Sequence, residues 1–220
     1  MANPIKPNFK TEFIPILLIL LSIIASFYFY AHFPEKVPTH WNYKGQIDGW
    51  SGKTFAAFFS PGLNLIMYLL FLAFPYLDPK KDRYADFARV YHVFKGLLIT
   101  VMTVIYFYIG LAGLGYELPV AVVIPAAIGV LFVVLGNYFG KIKPNWFMGI
   151  RTPWTLSNEE VWNKTHRLGG KLFMLMGFFM ILGTILPPAI FWGFFIFGTV
   201  IVALIPAIYS FIIFKKLEKK

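Results

Sequence analysis

The chain has 220 residues, of which 58% are hydrophobic, 20% aromatic and only 14% charged. Soluble domains carry about 25% charged residues, so this composition excludes an ordinary globular enzyme and points to the bilayer as solvent. There is no cysteine, which removes disulfides, thiolate nucleophiles and zinc–thiolate centres. The formal net charge is +10, and the basic residues fill the gaps between apolar runs. That placement reads as orientation in a membrane rather than affinity for nucleic acid.

Six apolar runs follow in order, at 13–31, 54–77, 90–114, 119–139, 172–186 and 189–214. Each is near the ~20 residues with which a helix crosses ~30 Å of hydrocarbon. The first exceeds the about 7–15 apolar residues of a signal peptide and has no small-residue cleavage pattern after it, so it reads as a retained span. Pro61-Gly62 predicts a break in the second run. Residues 78–89 read as a charged loop, Tyr116-Glu117 as a tiny turn and Pro187-Pro188 as a tight one. The expected fold is all-α: a polytopic membrane bundle of six transmembrane helices with both termini cytoplasmic. It would divide into a two-span unit at 1–77 and a four-span unit at 78–220.

Orientation follows from charge. Seventeen of the 20 Lys and Arg residues, Lys95 among them, fall in the terminal segments or the loops expected on the same side. Lys36, Lys44 and Lys53 alone flank the other side. The positive-inside rule then turns the 32–53 segment outward and puts 140–171 in the cytoplasm. No Asp, Glu, Lys or Arg falls near the midpoint of a run, which argues against a proton-coupled pump or a charge-lined channel. Glycines and prolines within the runs predict close helix packing and kinks. The sequence has no internal repeat of the kind inverted-topology transporters carry.

The 32–53 segment is punctuated by Pro34, Pro38, Gly45, Gly49 and Gly52, which predicts turns or a short hairpin. Trp41, Tyr43 and Trp50 suit the headgroup layer. Two readings stand: a loop anchored flat on the bundle, or a platform for an apolar or cationic peptide arriving from outside. The second makes Glu35, His40, Trp41, Asn42, Asp48 and Trp50 the candidate binding residues. Glu35 and Asp48 are the carboxylates there that could meet a cation. His32 and His40 lack the further ligands a metal site needs, so no metal or cofactor is expected.

The longest polar insert of the second half spans 140–171 and carries Trp146, Trp154 and Trp162. Ser157 with Glu160 forms a capping-box pattern, which predicts a helix from Ser157 with an apolar stripe from Val161-Trp162 and a kink at Gly169-Gly170. The acidic first turn is explained by the helix dipole without any acid–base role. Pro153 predicts an extended Thr152. Arg151 could bond span-end carbonyls as part of a self-contained plug, or hold a lipid phosphate or an acidic partner. Asn137, Asn145, Arg151, Thr152, Trp154, Trp162 and His166 form the candidate partner- or lipid-binding set. Asn145, Arg151 and His166 lack a nucleophile or metal set, so no catalytic centre is expected.

Two stretches resemble a known family. Val37-Pro38-Thr39-His40-Trp41-Asn42, followed by Gly45, Asp48-Gly49-Trp50 and Lys53, resembles the small domain of unknown function that often opens these proteins. Gly136-Asn137, Lys143-Pro144-Asn145, the run from Gly149 through Leu156, Trp162 and His166 resemble the signature of the SdpI (sporulation-delaying-protein immunity) family. The resemblance implies an integral membrane immunity protein of the bacterial cytoplasmic membrane, protecting against a secreted membrane-damaging peptide toxin. It implies in addition a sensor that holds a small winged-helix repressor at the membrane. The alternative is a transporter or flippase for amphipathic molecules, which would need a water-filled cavity open to one side.

Overall fold

The computed structural model describes residues 5–219 and contains, among them, seven α-helices and one two-stranded sheet. The helices are α1 (Phe9–His32), α2 (Lys53–Leu77), α3 (Ala88–Gly113), α4 (Val120–Phe139), α5 (Pro153–Ser157), α6 (Glu159–Gly183) and α7 (Pro188–Glu218). Strands β1 (Lys36–Trp41) and β2 (Ile47–Gly52) form an antiparallel hairpin between α1 and α2. The charged 78–89 segment is not an open loop: Lys81–Phe87 forms a 3₁₀ turn that leads straight into α3.

The helix ends follow local chemistry. Asn8 caps α1 in a reciprocal capping box with Thr11. Thr152, extended as Pro153 requires, caps α5 in the same way with Thr155. The cap of α6 is Asn158 rather than Ser157; its Oδ1 accepts from the Glu160 and Val161 backbone N–H groups. Ser157 closes α5 instead. The cap of α6 therefore falls one residue later than the Ser157 pattern predicts.

Five segments are long and apolar enough to cross a membrane: Phe9–His32, Lys53–Leu77, Lys81–Gly113, Val120–Phe139 and Pro188–Glu218. The remaining long helix, α6, joins the apolar 172–186 run to a polar half with Glu159, Glu160, Lys164, Arg167 and Lys171, which lowers its overall apolar character. It runs as one helix through Gly169-Gly170.

Helix α2 is likewise continuous through Pro61 and Pro75. A proline frees the carbonyl four residues earlier, and in a membrane that carbonyl needs a partner. Both are supplied by α3. The Tyr106 hydroxyl donates to the Ala57 carbonyl at 3.0 Å, and the Tyr91 hydroxyl to the Phe71 carbonyl at 2.7 Å. With the lost bonds replaced across the interface, the predicted break does not occur.

Helices α1, α2 and α3 pack mutually; α4 and α6 form the most extensive interface, and α7 packs on α6. The α4–α6 seam is closed by two reciprocal glycine pairs. A Cβ on Gly136 would lie 2.6 Å from the Gly170 carbonyl oxygen, and one on Gly177 2.6 Å from that of Gly129. Backbone thus meets backbone, which only glycine permits. One bundle end gathers Asp78, the 3₁₀ turn, residues 140–158 and the C-terminal part of α7. The other gathers the hairpin, the α3–α4 turn and the α6–α7 turn.

Candidate functional site

At the hairpin end, Val37 is fully enclosed with Phe29, Phe33, Ala56, Ala57 and Tyr106, which roots β1 in the first three helices. Gly113 makes room for it, since a Cβ there would meet Phe33 and Val37. The hairpin turn is organised by Asn42, whose Oδ1 accepts from Lys44 N–H at 2.9 Å and Gln46 N–H at 3.1 Å, and by Gly45 at φ +79°. From there the hairpin reaches across the bundle. The Trp192 indole N–H of α7 donates to the Tyr43 carbonyl at 2.9 Å.

Beneath this strap lies a cavity of about 300 Å³. Its walls come from β1, α3, α4 and the adjoining ends of α6 and α7, with Ile105, Ile124, Ile128, Met180, Phe191 and Phe195 among them. Thr39, His40, Asn42 and Thr184 supply side-chain polar groups to the lining. An apolar chamber with polar groups confined to a few edge positions suits an amphipathic ligand. Toward the opposite end, the cluster of Phe94, Leu135, Phe139, Ile142 and Trp162 fills the bundle.

The expected outer-loop residues divide around this chamber. His40, Trp41 and Asn42 line it. Trp41 also sets its edge against Tyr108, ring centroids 5.3 Å apart. Glu35 and Asp48 stand outside, bonded to Lys53 and His40 respectively, and Trp50 is exposed. His32 is separate, with Nδ1 against the Tyr28 carbonyl.

At the opposite end the 140–158 segment is folded back on the bundle. Asn145 is fully buried; its Oδ1 accepts from Phe147 and Met148 N–H, and its Nδ2 donates to the Lys143 and Met148 carbonyls. Asp78, at the end of α2, accepts from the Tyr84 hydroxyl and the Trp146 N–H, both at 2.8 Å. Arg83 pairs with Glu159. The Trp162 indole donates to the Ile142 carbonyl at 2.8 Å and its ring stacks on His166 at 4.0 Å.

The His166 tautomer follows from its partners. Nε2 accepts the Ile150 N–H at 2.9 Å, so Nδ1 carries the proton and donates to the Trp162 carbonyl, also at 2.9 Å. Burial holds the imidazole neutral by pulling its pKa down to about 4. Arg151 is exposed and bonds the Trp146 carbonyl, within the segment itself; Thr152 meets Ser210 of α7 at 2.9 Å; Trp154 packs on Phe211. Asn137 points outward from α4, away from this assembly. The structure therefore brings Asn145, Arg151, Thr152, Trp162 and His166 into one packed plug and leaves Arg151 and part of Trp154 accessible.

A buried polar group escaped the reading from sequence. Glu12 of α1 and Lys95 of α3 are 7% and 1% exposed, and Lys95 Nζ bonds both carboxylate oxygens at 2.6 Å. The Tyr68 hydroxyl of α2 donates to the same carboxylate at 2.8 Å. Lys95 is thus an interior residue, not one of the loop cations with which it was counted. The available signal was Lys95 inside the 90–114 run, with Glu12 at the very edge of the first run.

Fold and composition define a polytopic α-helical membrane protein. Residues 141–210 match the model of the SdpI/YfhL protein family, and residues 17–65 match the Domain of unknown function (DUF1648). The chain is 28% identical over 169 residues to "Immunity protein SdpI" of Bacillus subtilis (strain 168), covering 77% of this chain and 79% of that protein. No solved structure matches.

Proposed function

We propose that this chain is a multi-pass immunity protein of the bacterial cytoplasmic membrane, which protects its cell against a secreted, membrane-damaging peptide. The observation that carries the reading is the apolar cavity under the hairpin, in a chain similar to a protein named for immunity. A peptide that damages membranes must itself be amphipathic. Its apolar side chains would enter the space between Ile105, Ile128, Met180 and Phe191, and its polar backbone would meet His40 and Asn42 at the edge. With both termini cytoplasmic, the hairpin faces the side from which such a peptide arrives; the excess of Lys and Arg at the other end supports that orientation.

The 140–158 plug is the element that would report occupancy to the cytoplasm. Peptide binding under the hairpin would favour one arrangement of α4, α6 and α7 over another, and the exposed Arg151 would change its presentation to a small repressor protein. The transporter reading finds less support, because the cavity is lined mainly by apolar side chains.

The test is expression of the chain in a bacterium sensitive to secreted membrane-active peptides, with membrane insertion verified, followed by survival measurements over a peptide panel. Immunity predicts a survival gain against at least one peptide. No gain against any of them, with the protein correctly inserted, contradicts it.

A further inference from the structure

The outward face of α6 changes character along its length. Lys164, Arg167 and Lys171 lie on it at helical spacing and are exposed. The same face continues as Leu175, Phe178 and Leu182, which are 68%, 49% and 66% exposed. Apolar side chains this open belong against hydrocarbon, so the membrane surface falls within the single turn between Lys171 and Leu175. Arg167 and Lys171 are thereby set at headgroup level.

The end of α4 adds to them. Gly140 caps that helix, and the Arg167 stem lies over it: a Cβ on Gly140 would be 3.4 Å from Arg167 Cγ. The next residue, Lys141, is exposed and stands over the Tyr138 ring at 4.9 Å. Among the described residues Lys141, Arg167 and Lys171 have no carboxylate partner, whereas Lys164 is bonded to Glu160 at 2.7 Å and Arg83 to Glu159.

We propose that Lys141, Arg167 and Lys171 form a binding site for the headgroup of an anionic phospholipid at the polar-loop end of the α4–α6 seam. Three unneutralised cations, two on α6 and one just past the end of α4, meet one phosphate-bearing headgroup, and the acyl chains run along Leu175, Phe178 and Leu182. Continuity with the lipid-facing surface favours a lipid over an acidic protein patch. A zwitterionic headgroup would bring its own cation into the cluster. The site would fix the depth of α6, whose polar half is otherwise held by the plug.

The experiment uses the full chain purified in detergent. Native mass spectrometry and thermal shift compare phosphatidylglycerol with phosphatidylcholine, with inorganic phosphate and polyglutamate as competitors. The expected result is retained phosphatidylglycerol and a higher Tm with it, neither reproduced by phosphatidylcholine, and no displacement by phosphate or polyglutamate. The variant K141Q/R167Q/K171Q should lose most of the retained lipid and the Tm increase while keeping the parent's Tm in lipid-free detergent. If that variant fails to fold, Lys171→Gln alone should retain severalfold less phosphatidylglycerol, and K36Q/K44Q on the hairpin should retain as much as the parent. Equal retention of both lipids, retention unchanged by the substitutions, or binding of polyglutamate in place of lipid would overturn the proposal.

Discussion

Gly149 and His166 touch: the glycine, at φ +109°, leaves no space for a Cβ before the imidazole Nε2, and that nitrogen takes the N–H of the next residue, Ile150. One contact thus fixes both the path of the 140–158 segment and the orientation of the ring beneath it. Gly149→Ala should combine positive-φ strain with a steric clash and cost about 1–3 kcal/mol or more. A lowered Tm in detergent and faster proteolysis within 140–158 are the expected observations.

The same ring makes the plug sensitive to acid. His166 has a folded pKa of about 4, against an ordinary value of 6.5. The unfolded chain therefore takes up a proton that the folded one refuses. Stability from this group is complete above about pH 6.5, falls as pH drops toward 4 and is constant below, with a total loss of about 3 kcal/mol. Thermal unfolding measured across that range should show the decline in the parent. His166→Gln should flatten it.

Tyr106→Phe removes the donor that satisfies the carbonyl freed by Pro61, and Tyr91→Phe does the same for Pro75. Each leaves a buried carbonyl unpaired, at a cost of about 1–3 kcal/mol. In Pro61→Ala the helix regains its own bond, so adding Tyr106→Phe should then cost less. A double-mutant cycle read by Tm checks the coupling.

Lys95→Met strands the Glu12 carboxylate inside the bundle and should destabilise by about 3–5 kcal/mol. Neutralising both partners, as Glu12→Gln with Lys95→Met, should recover much of that loss. Yield of folded protein and Tm for the two variants provide the comparison.

The course of the chain was legible wherever a local rule acted alone. Apolar runs located the helices, Pro153 set Thr152 extended, and the glycines of 32–53 marked the hairpin. What failed was tertiary. Pro61 breaks a helix unless a hydroxyl from elsewhere replaces its bond, and nothing near Pro61 announces Tyr106. Ser157 and Asn158 are both good caps, and only the fold of the preceding five residues separates them. Lys95 looked like a loop cation because a sequence gives no depth. Trp162 and His166 read as a partner surface, since aromatic and titratable groups in a polar insert fit an exposed or an interior role equally; the structure encloses both. The cavity was not foreseen, because its walls come from five elements scattered between Thr39 and Phe195.

The central claim is that the chamber under the hairpin receives the peptide. Its most direct test is the survival of peptide-challenged cells expressing Ile124→Trp or Ile128→Trp, which fill the chamber, beside Leu204→Trp on the lipid-facing side of α7. With insertion and expression matched, protection should fall at least tenfold for the two filled variants and stay at the parent's level for Leu204→Trp. Full protection with the chamber filled would contradict the account.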